Sequence, residues 1–282
     1  MKHRSFCLLL ALAAGLSLLP LAAAQDISAF ISSGHDGDIL NLKPNFERLA
    51  ARGEIPPALQ ERMNGLTVLL ATERPLEEVA AAVAAVRRDF PGLSPAVAPW
   101  LVFMESRMLV AAGDVPGAEK AVEAWAAAAP ENDVDLAAKL RFYLARVYAD
   151  DPEHTKGLPV EERLECVRRL AGGVFRDERV AGVLRLHAGL YLADQIGYMS
   201  HQSLAEQDVQ DGTARRDLLL ERNREREQVL REAERLCGRI EAALKRAPEN
   251  PGTPAIAPGE ILMGRQRITA ALDDIRRFRE NR

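Results

Sequence analysis

Apolar residues recur at spacings of three and four through nearly all of this chain, the period at which one stripe of an α-helix faces a core. Leu76, Val79, Val83, Val86 and Phe90 form the cleanest stripe, and Pro91-Gly92 stops it. Alternation with period two never persists and β-branched residues are scattered, so no segment reads as a strand. An all-α protein of roughly ten helices follows, because each one-sided stripe needs a neighbour to cover it.

Proline and glycine mark the helix ends. Pro56-Pro57 opens a helix with Leu59, Met63, Leu66 and Leu70 on one face, since a first-turn N–H lacks an intrahelical partner anyway. The next after the Leu76 stripe runs from Ser94 to about Ala112, with Trp100, Phe103 and Met104 as its bulky residues, and ends at Gly113-Asp114. Ala118, Val122, Trp125 and Ala129 line a helix stopped by Pro130, and Asp133 caps one through Leu136, Leu140, Leu144 and Val147. Pro159 opens a shorter helix through Val160, Leu164, Val167 and Ala171. From about Asp177 to Ile196 the apolar arc widens (Val180, Val183, Leu184, Leu186, Leu190, Tyr191), which predicts contacts on two sides.

A long helix then spans about Thr213 to Ala247. Leu230, Ala233, Cys237, Ile240, Leu244 and Ala247 make a coiled-coil-like seam, but upstream the seam positions are Arg226 and Asn223. The apolar half is expected to pack on the domain and the Arg/Glu-rich half to project or lie exposed. Pro248, Pro251, Gly252, Pro254 and Pro258 form a linker over 248–258, and 259–282 holds a last helix with Ile261, Ile268, Leu272, Ile275 and Phe278 on one face.

The amino terminus has another character. Lys2, His3 and Arg4 precede an apolar run from Phe6 to Ala24, and Ala22, Ala23 and Ala24 supply the small residues of a cleavage zone, so 1–24 reads as a signal peptide cut before Gln25. No cysteine follows the cut to carry a lipid, and no later segment is long and apolar enough to stay in a membrane, so no stable membrane insertion is expected after cleavage. The expected location is periplasmic or secreted. A lead-in over 25–55, a repeat domain over 56–200 and the long charged helix over 201–247 complete the organisation.

Losing Lys2 and Arg4 leaves 35 basic against 41 acidic residues, with no basic tract, which argues against a nucleic-acid partner. Cys166 and Cys237 remain. An oxidising compartment permits a disulfide between them, while the apolar seam around Cys237 equally suits a buried thiol.

The helices repeat. Ser106, Ala145 and Ala188 are small residues 39 and 43 positions apart, each followed three residues later by Leu109, Tyr148 or Tyr191. The segment 100–130 resembles a tetratricopeptide repeat: Ser106 stands at the small contact position, Leu109 where an aromatic is usual, Gly113 at the turn, Ala118 in the second helix and Pro130 at its end. Trp125 stands where that family usually has Ala, Trp100 is displaced from the usual aromatic place, and the period exceeds the family's roughly 34 residues. The resemblance implies antiparallel helix pairs stacked as a TPR-like α-solenoid whose concave face binds a peptide or protein.

Catalytic chemistry is hard to find. Gly34-His35-Asp36-Gly37-Asp38 with Asn41 combines an imidazole and carboxylates, but Asp and Gly are also what a polar loop uses. His187 lies on an apolar helix face, His154 and His201 in polar surroundings, and no His pair has the spacing of a helical zinc site. There is no nucleophile elbow and no phosphate loop; Glu77-Glu78 and Glu161-Glu162 sit at helix starts, where the helix dipole favours carboxylates and solvent reaches them. No catalytic residue, metal or cofactor is assigned. The expectation is an exported scaffold or interaction protein of the bacterial envelope, not an enzyme; self-association through the charged helix is the alternative, and an enzyme of unknown reaction a further one.

Overall fold

The computed structural model describes residues 53, 55–62, 65, 75–91, 94–128, 134–151, 153–207, 211–246 and 258–280. Every regular element among them is helical. The segment 1–24, the Gly34–Asn41 stretch, the stripe positions Met63, Leu66 and Leu70, Asp133 and the prolines of the linker before Pro258 lie outside the described residues. The chain divides into two compact units, Met1–Ala129 and Pro130–Arg282, so the boundary falls inside the stretch read as one repeat domain.

In the first unit α1 (Leu76–Asp89) packs on α2 (Ser94–Ala111), and α2 on α3 (Val115–Ala128). The predicted stripe of α1 buries Val79, Val83 and Val86, and its end at Phe90 comes where Pro91 forbids continuation. α2 buries Leu101, Val102, Phe103 and Met104 in succession, so it is covered on more than one side. Its end is built locally: Gly113 takes φ +79°, a left-handed conformation that L side chains rarely adopt, and the Asp114 N–H returns to the Leu109 carbonyl at 2.8 Å. Asp114 then caps α3, its Oδ1 accepting the Gly117 N–H at 2.9 Å.

The second unit contains α4 (Val134–Asp150), α5 (Val160–Arg176), α6 (Gly182–Glu206), α7 (Gly212–Arg246) and α8 (Pro258–Glu280). α6 is its centre, touching α4, α5, α7 and α8, which realises the wide apolar arc. It starts later and ends later than its sequence pattern indicates. Residues 177–181 are held in a turn by Asp177, and beyond Ile196 the helix carries on through Met199, Ser200, Ser203 and Leu204, all buried. α5 and α6 cross closely at Gly189, where an added Cβ would stand 2.7 Å from the Phe175 ring. Phe142 of α4 meets Tyr191 of α6 edge to face at 5.2 Å, and the Tyr191 hydroxyl donates to Asp150.

Two helix starts in this unit are satisfied from a distance, whereas α7 is capped locally by Asp211, whose Oδ1 accepts the Thr213 N–H at 2.8 Å. Pro159 and Ala181 offer no side-chain cap. Instead Glu206, from the end of α6, accepts the Val160 N–H at 2.9 Å, and Asp135 of α4 accepts the Ala181 N–H at 2.8 Å. Those donors belong to first turns that have no intrahelical acceptor, so remote carboxylates do what a neighbouring Ser or Asp does elsewhere.

α8 lays Ile261, Ile268, Ala271, Leu272 and Ile275 against α6 and α7. Cys237 of α7 is fully covered, its sulfur 3.9 Å from where a Cβ on Gly264 of α8 would stand, while Cys166 is half-buried on α5. No disulfide joins the two, and burial pushes the Cys237 thiol up from its ordinary pKa.

Candidate functional site

The charged half of α7 corrects the expectation that it projects. Residues 211–217 are exposed, but Arg222, Glu225 and Arg226 are half-buried. Arg168 of α5 donates from Nε and Nη2 to the two Glu225 oxygens at 2.7 and 3.0 Å, a two-pronged pairing, and from Nη1 to Glu161 at 3.2 Å and Glu165 at 3.3 Å. Arg222 reaches Glu161 from the α7 side. Burial works against the charge on Arg168, but the hydrogen bonds and charges of Glu225 and then Glu161 outweigh it and raise its pKa. Glu161, expected to be a solvated helix-start carboxylate, is therefore a tie between α5 and α7; Glu162 is exposed, as are Glu77 and Glu78.

A pocket of about 310 Å³ opens beside this network, lined by Tyr198, His201, Asn223 and Arg226 among others. Gly197 makes room there for the Arg226 guanidinium, which lies 3.3 Å from the place a Cβ would occupy. Tyr198 is an unusually exposed aromatic, at 60%.

A second pocket, of about 480 Å³, has a more one-sided chemistry. Phe175 and Arg176 at the end of α5, Arg185 in the first turn of α6, and Glu232, Arg235 and Arg239 of α7 line it, so four guanidiniums face a single carboxylate. The three α7 residues follow at spacings of three and four and share one helix face. Arg185 is fixed: its Nε donates to the Phe175 carbonyl at 2.9 Å, satisfying one of the free acceptors at the end of α5. Arg239 stands 3.8 Å from the exposed Glu178 carboxylate. Among the described residues no acid pairs with Arg176 or Arg235.

The structure does not bring the histidines together. His154 bonds Asp151 at 2.7 Å within the turn before α5, His187 is half-buried on α6, and His201 is exposed at the smaller pocket. His35 and its acidic neighbours lie outside the described residues. Among the described residues no group of three metal-ligating side chains gathers, and no helix is long and apolar enough to cross a membrane. Sequence reasoning missed the arginine pocket because its members come from three helices; the spacing of Glu232, Arg235 and Arg239 was the one available sign. No family model, curated protein or solved structure matches the chain.

Proposed function

We propose that this chain is an exported, non-catalytic helical-repeat protein of the bacterial envelope, which binds a protein or peptide on the surface of TPR-like helix pairs. The observation that carries the reading is the recurrence of Ser106, Ala145 and Ala188. They stand on α2, α4 and α6, and each is 0% exposed. A small residue at a fixed place in alternate helices is what lets successive helix backbones approach, and stacked pairs bury stripes that single helices leave bare.

The contacts within the second unit favour the same reading: α4 touches both α5 and α6, and α6 touches α7, so each helix is covered by its sequential neighbours. Self-association through the charged helix has less support, since Arg222, Glu225 and Arg226 are engaged with α5 and α6. Export is supported by the sequence pattern of 1–24.

Two measurements test the reading. The amino-terminal sequence of the chain recovered from a bacterial periplasm is expected to begin at Gln25; a full-length chain held in the cytosol removes the export half. A photo-crosslinking amino acid placed at the exposed Ala124 of α3 is expected to yield one discrete adduct in intact cells. Only diffuse or absent adducts, there and at exposed positions of α5 and α7, would end the interaction half.

A further inference from the structure

We propose that the arginine pocket of the second unit is the recognition site for an acidic peptide segment, whose successive carboxylates engage Arg176, Arg185, Arg235 and Arg239; the proposal rests on the interaction reading above.

Three observations converge on it. The pocket lining holds four guanidiniums and one carboxylate, with Glu178 3.8 Å from Arg239 beside it, in a chain whose overall charge is −4, so the concentration of positive charge there runs against the composition. Arg176 and Arg235 have no acid partner among the described residues, and the terminal nitrogens of Arg185 are uncommitted while its Nε is anchored to the Phe175 carbonyl. A guanidinium held in place before the ligand arrives loses less freedom on binding, and its planar fork matches a carboxylate in two hydrogen bonds.

The spacing selects the class of oxyanion. Arg235 and Arg239 are one helical turn apart, with Cβ atoms roughly 5–6 Å from each other, and Arg176 and Arg185 come from two other helices. That spread suits carboxylates distributed along a peptide better than one compact phosphate, which a single focus of donors would hold. Glu232 in the same lining repels a compact multivalent anion more than an extended peptide, whose carboxylates can seat away from it. Nucleic acid is disfavoured by the net negative charge and by the shortness of the basic patch.

The test is fluorescence anisotropy with fluorescein-labelled hexaglutamate and the signal-processed protein. Saturable binding is expected, undisplaced by hexaglutamine and weakened at least about tenfold by Arg176→Glu/Arg235→Glu. Arg224→Glu/Arg231→Glu changes the net charge equally on α7 outside the pocket and is expected to weaken binding by less than about twofold. Arg176→Gln/Arg235→Gln, checked for unchanged helicity, repeats the comparison without reversed charge.

Absence of saturable binding, equal losses in the two charge-reversal pairs, or displacement by inorganic phosphate, triphosphate or an oligonucleotide at lower concentration than free hexaglutamate would each overturn the proposal. The interaction reading is judged separately: a discrete adduct from Ala124 together with any of those outcomes rejects the pocket and leaves the reading standing.

Discussion

The two units differ in how far their helices reach for caps and ties: the second has local ones, such as Asp211 at the start of α7, and adds remote ones. In the first, the turn between α2 and α3 is finished within a few residues, by the left-handed Gly113 and by Asp114 capping Gly117. In the second, Val160 and Ala181 are capped by Glu206 and Asp135, each 46 residues away in sequence. Among ion pairs that join different helices the reach differs likewise, although the second unit also holds pairs within a helix such as Arg146–Asp150 and Arg231–Glu234. Arg87 and Glu105 join neighbouring helices of the first unit across 18 residues, whereas Arg168–Glu225 and Arg222–Glu161 span 57 and 61. Local devices form as soon as their own segment does; remote ones exist only once several helices are assembled, so the second unit should gain and lose its order more cooperatively.

The chain carries its own reporters for this contrast. Both tryptophans, Trp100 and Trp125, belong to the first unit, and all four tyrosines, Tyr143, Tyr148, Tyr191 and Tyr198, to the second. The largest effect is expected from Leu164→Ala in α5, where the side chain is 0% exposed. A buried leucine truncated to alanine costs about 2–5 kcal/mol. In urea the tyrosine-reported unfolding free energy should fall by that amount, lowering its midpoint in proportion, while the tryptophan-reported midpoint stays; a common shift of both breaks the idea that the units differ in how they hold together.

Next comes Arg168→Ala, which leaves Glu161 and Glu225 to share Arg222 alone among the described residues. Breaking a fully buried pair costs more, but these carboxylate side chains are 37% and 33% exposed, so solvent reduces the loss to about 1–3 kcal/mol. The matching change in the first unit, Arg87→Ala, removes a pair whose arginine is 48% exposed and should cost less than about 1 kcal/mol. Equal costs for the two would mean that reach along the sequence is irrelevant to how much an ion pair contributes.

The same contrast explains what the sequence disclosed. The stripe Val79-Val83-Val86, the stop at Pro91, the Gly113 turn and the entry at Pro159 are all written in neighbouring residues, and the structure has each where the pattern places it. The ends of α6 were not legible. The apolar pattern fades after Ile196, yet the helix continues past Gly197, which makes room for the Arg226 guanidinium, and Ala181 resembles no cap because Asp135 does the capping. Arg222, Glu225 and Arg226 read as a solvated face for the same reason: their partners Glu161, Arg168 and Asp194 lie on other helices. The arginine pocket was hidden in this way too, by assembly from three elements.

The caps offer a finer comparison. Glu206→Ala and Asp114→Ala each remove one acceptor from a helix start and should each cost about 1 kcal/mol. The difference lies in cooperativity. Loss of the remote cap frees α5 from the end of α6, so the tyrosine-reported urea transition should broaden as well as shift; loss of the local cap should shift the tryptophan-reported transition at constant slope. A constant slope in both removes the link between remote capping and cooperativity.

The smallest expected effect is a local device within the second unit, and its pH dependence separates it from the remote ones. Arg179 donates from Nε and Nη2 to the Asp177 carboxylate at 2.9 and 2.7 Å, and that hydrogen bonding, opposed by burial, holds the carboxyl below its ordinary value of 3.8. A carboxyl depressed on folding stabilises the native state above its unfolded pKa, and that contribution disappears as pH falls through the folded value. With Arg179 73% exposed, Arg179→Ala should cost only a few tenths of a kcal/mol at neutral pH. The gap between wild type and variant in the tyrosine-reported midpoint should stay constant from neutrality down to about pH 4 and close below it, where the carboxylate is protonated in both. A gap that widens in acid would place the effect of Arg179 somewhere other than on Asp177.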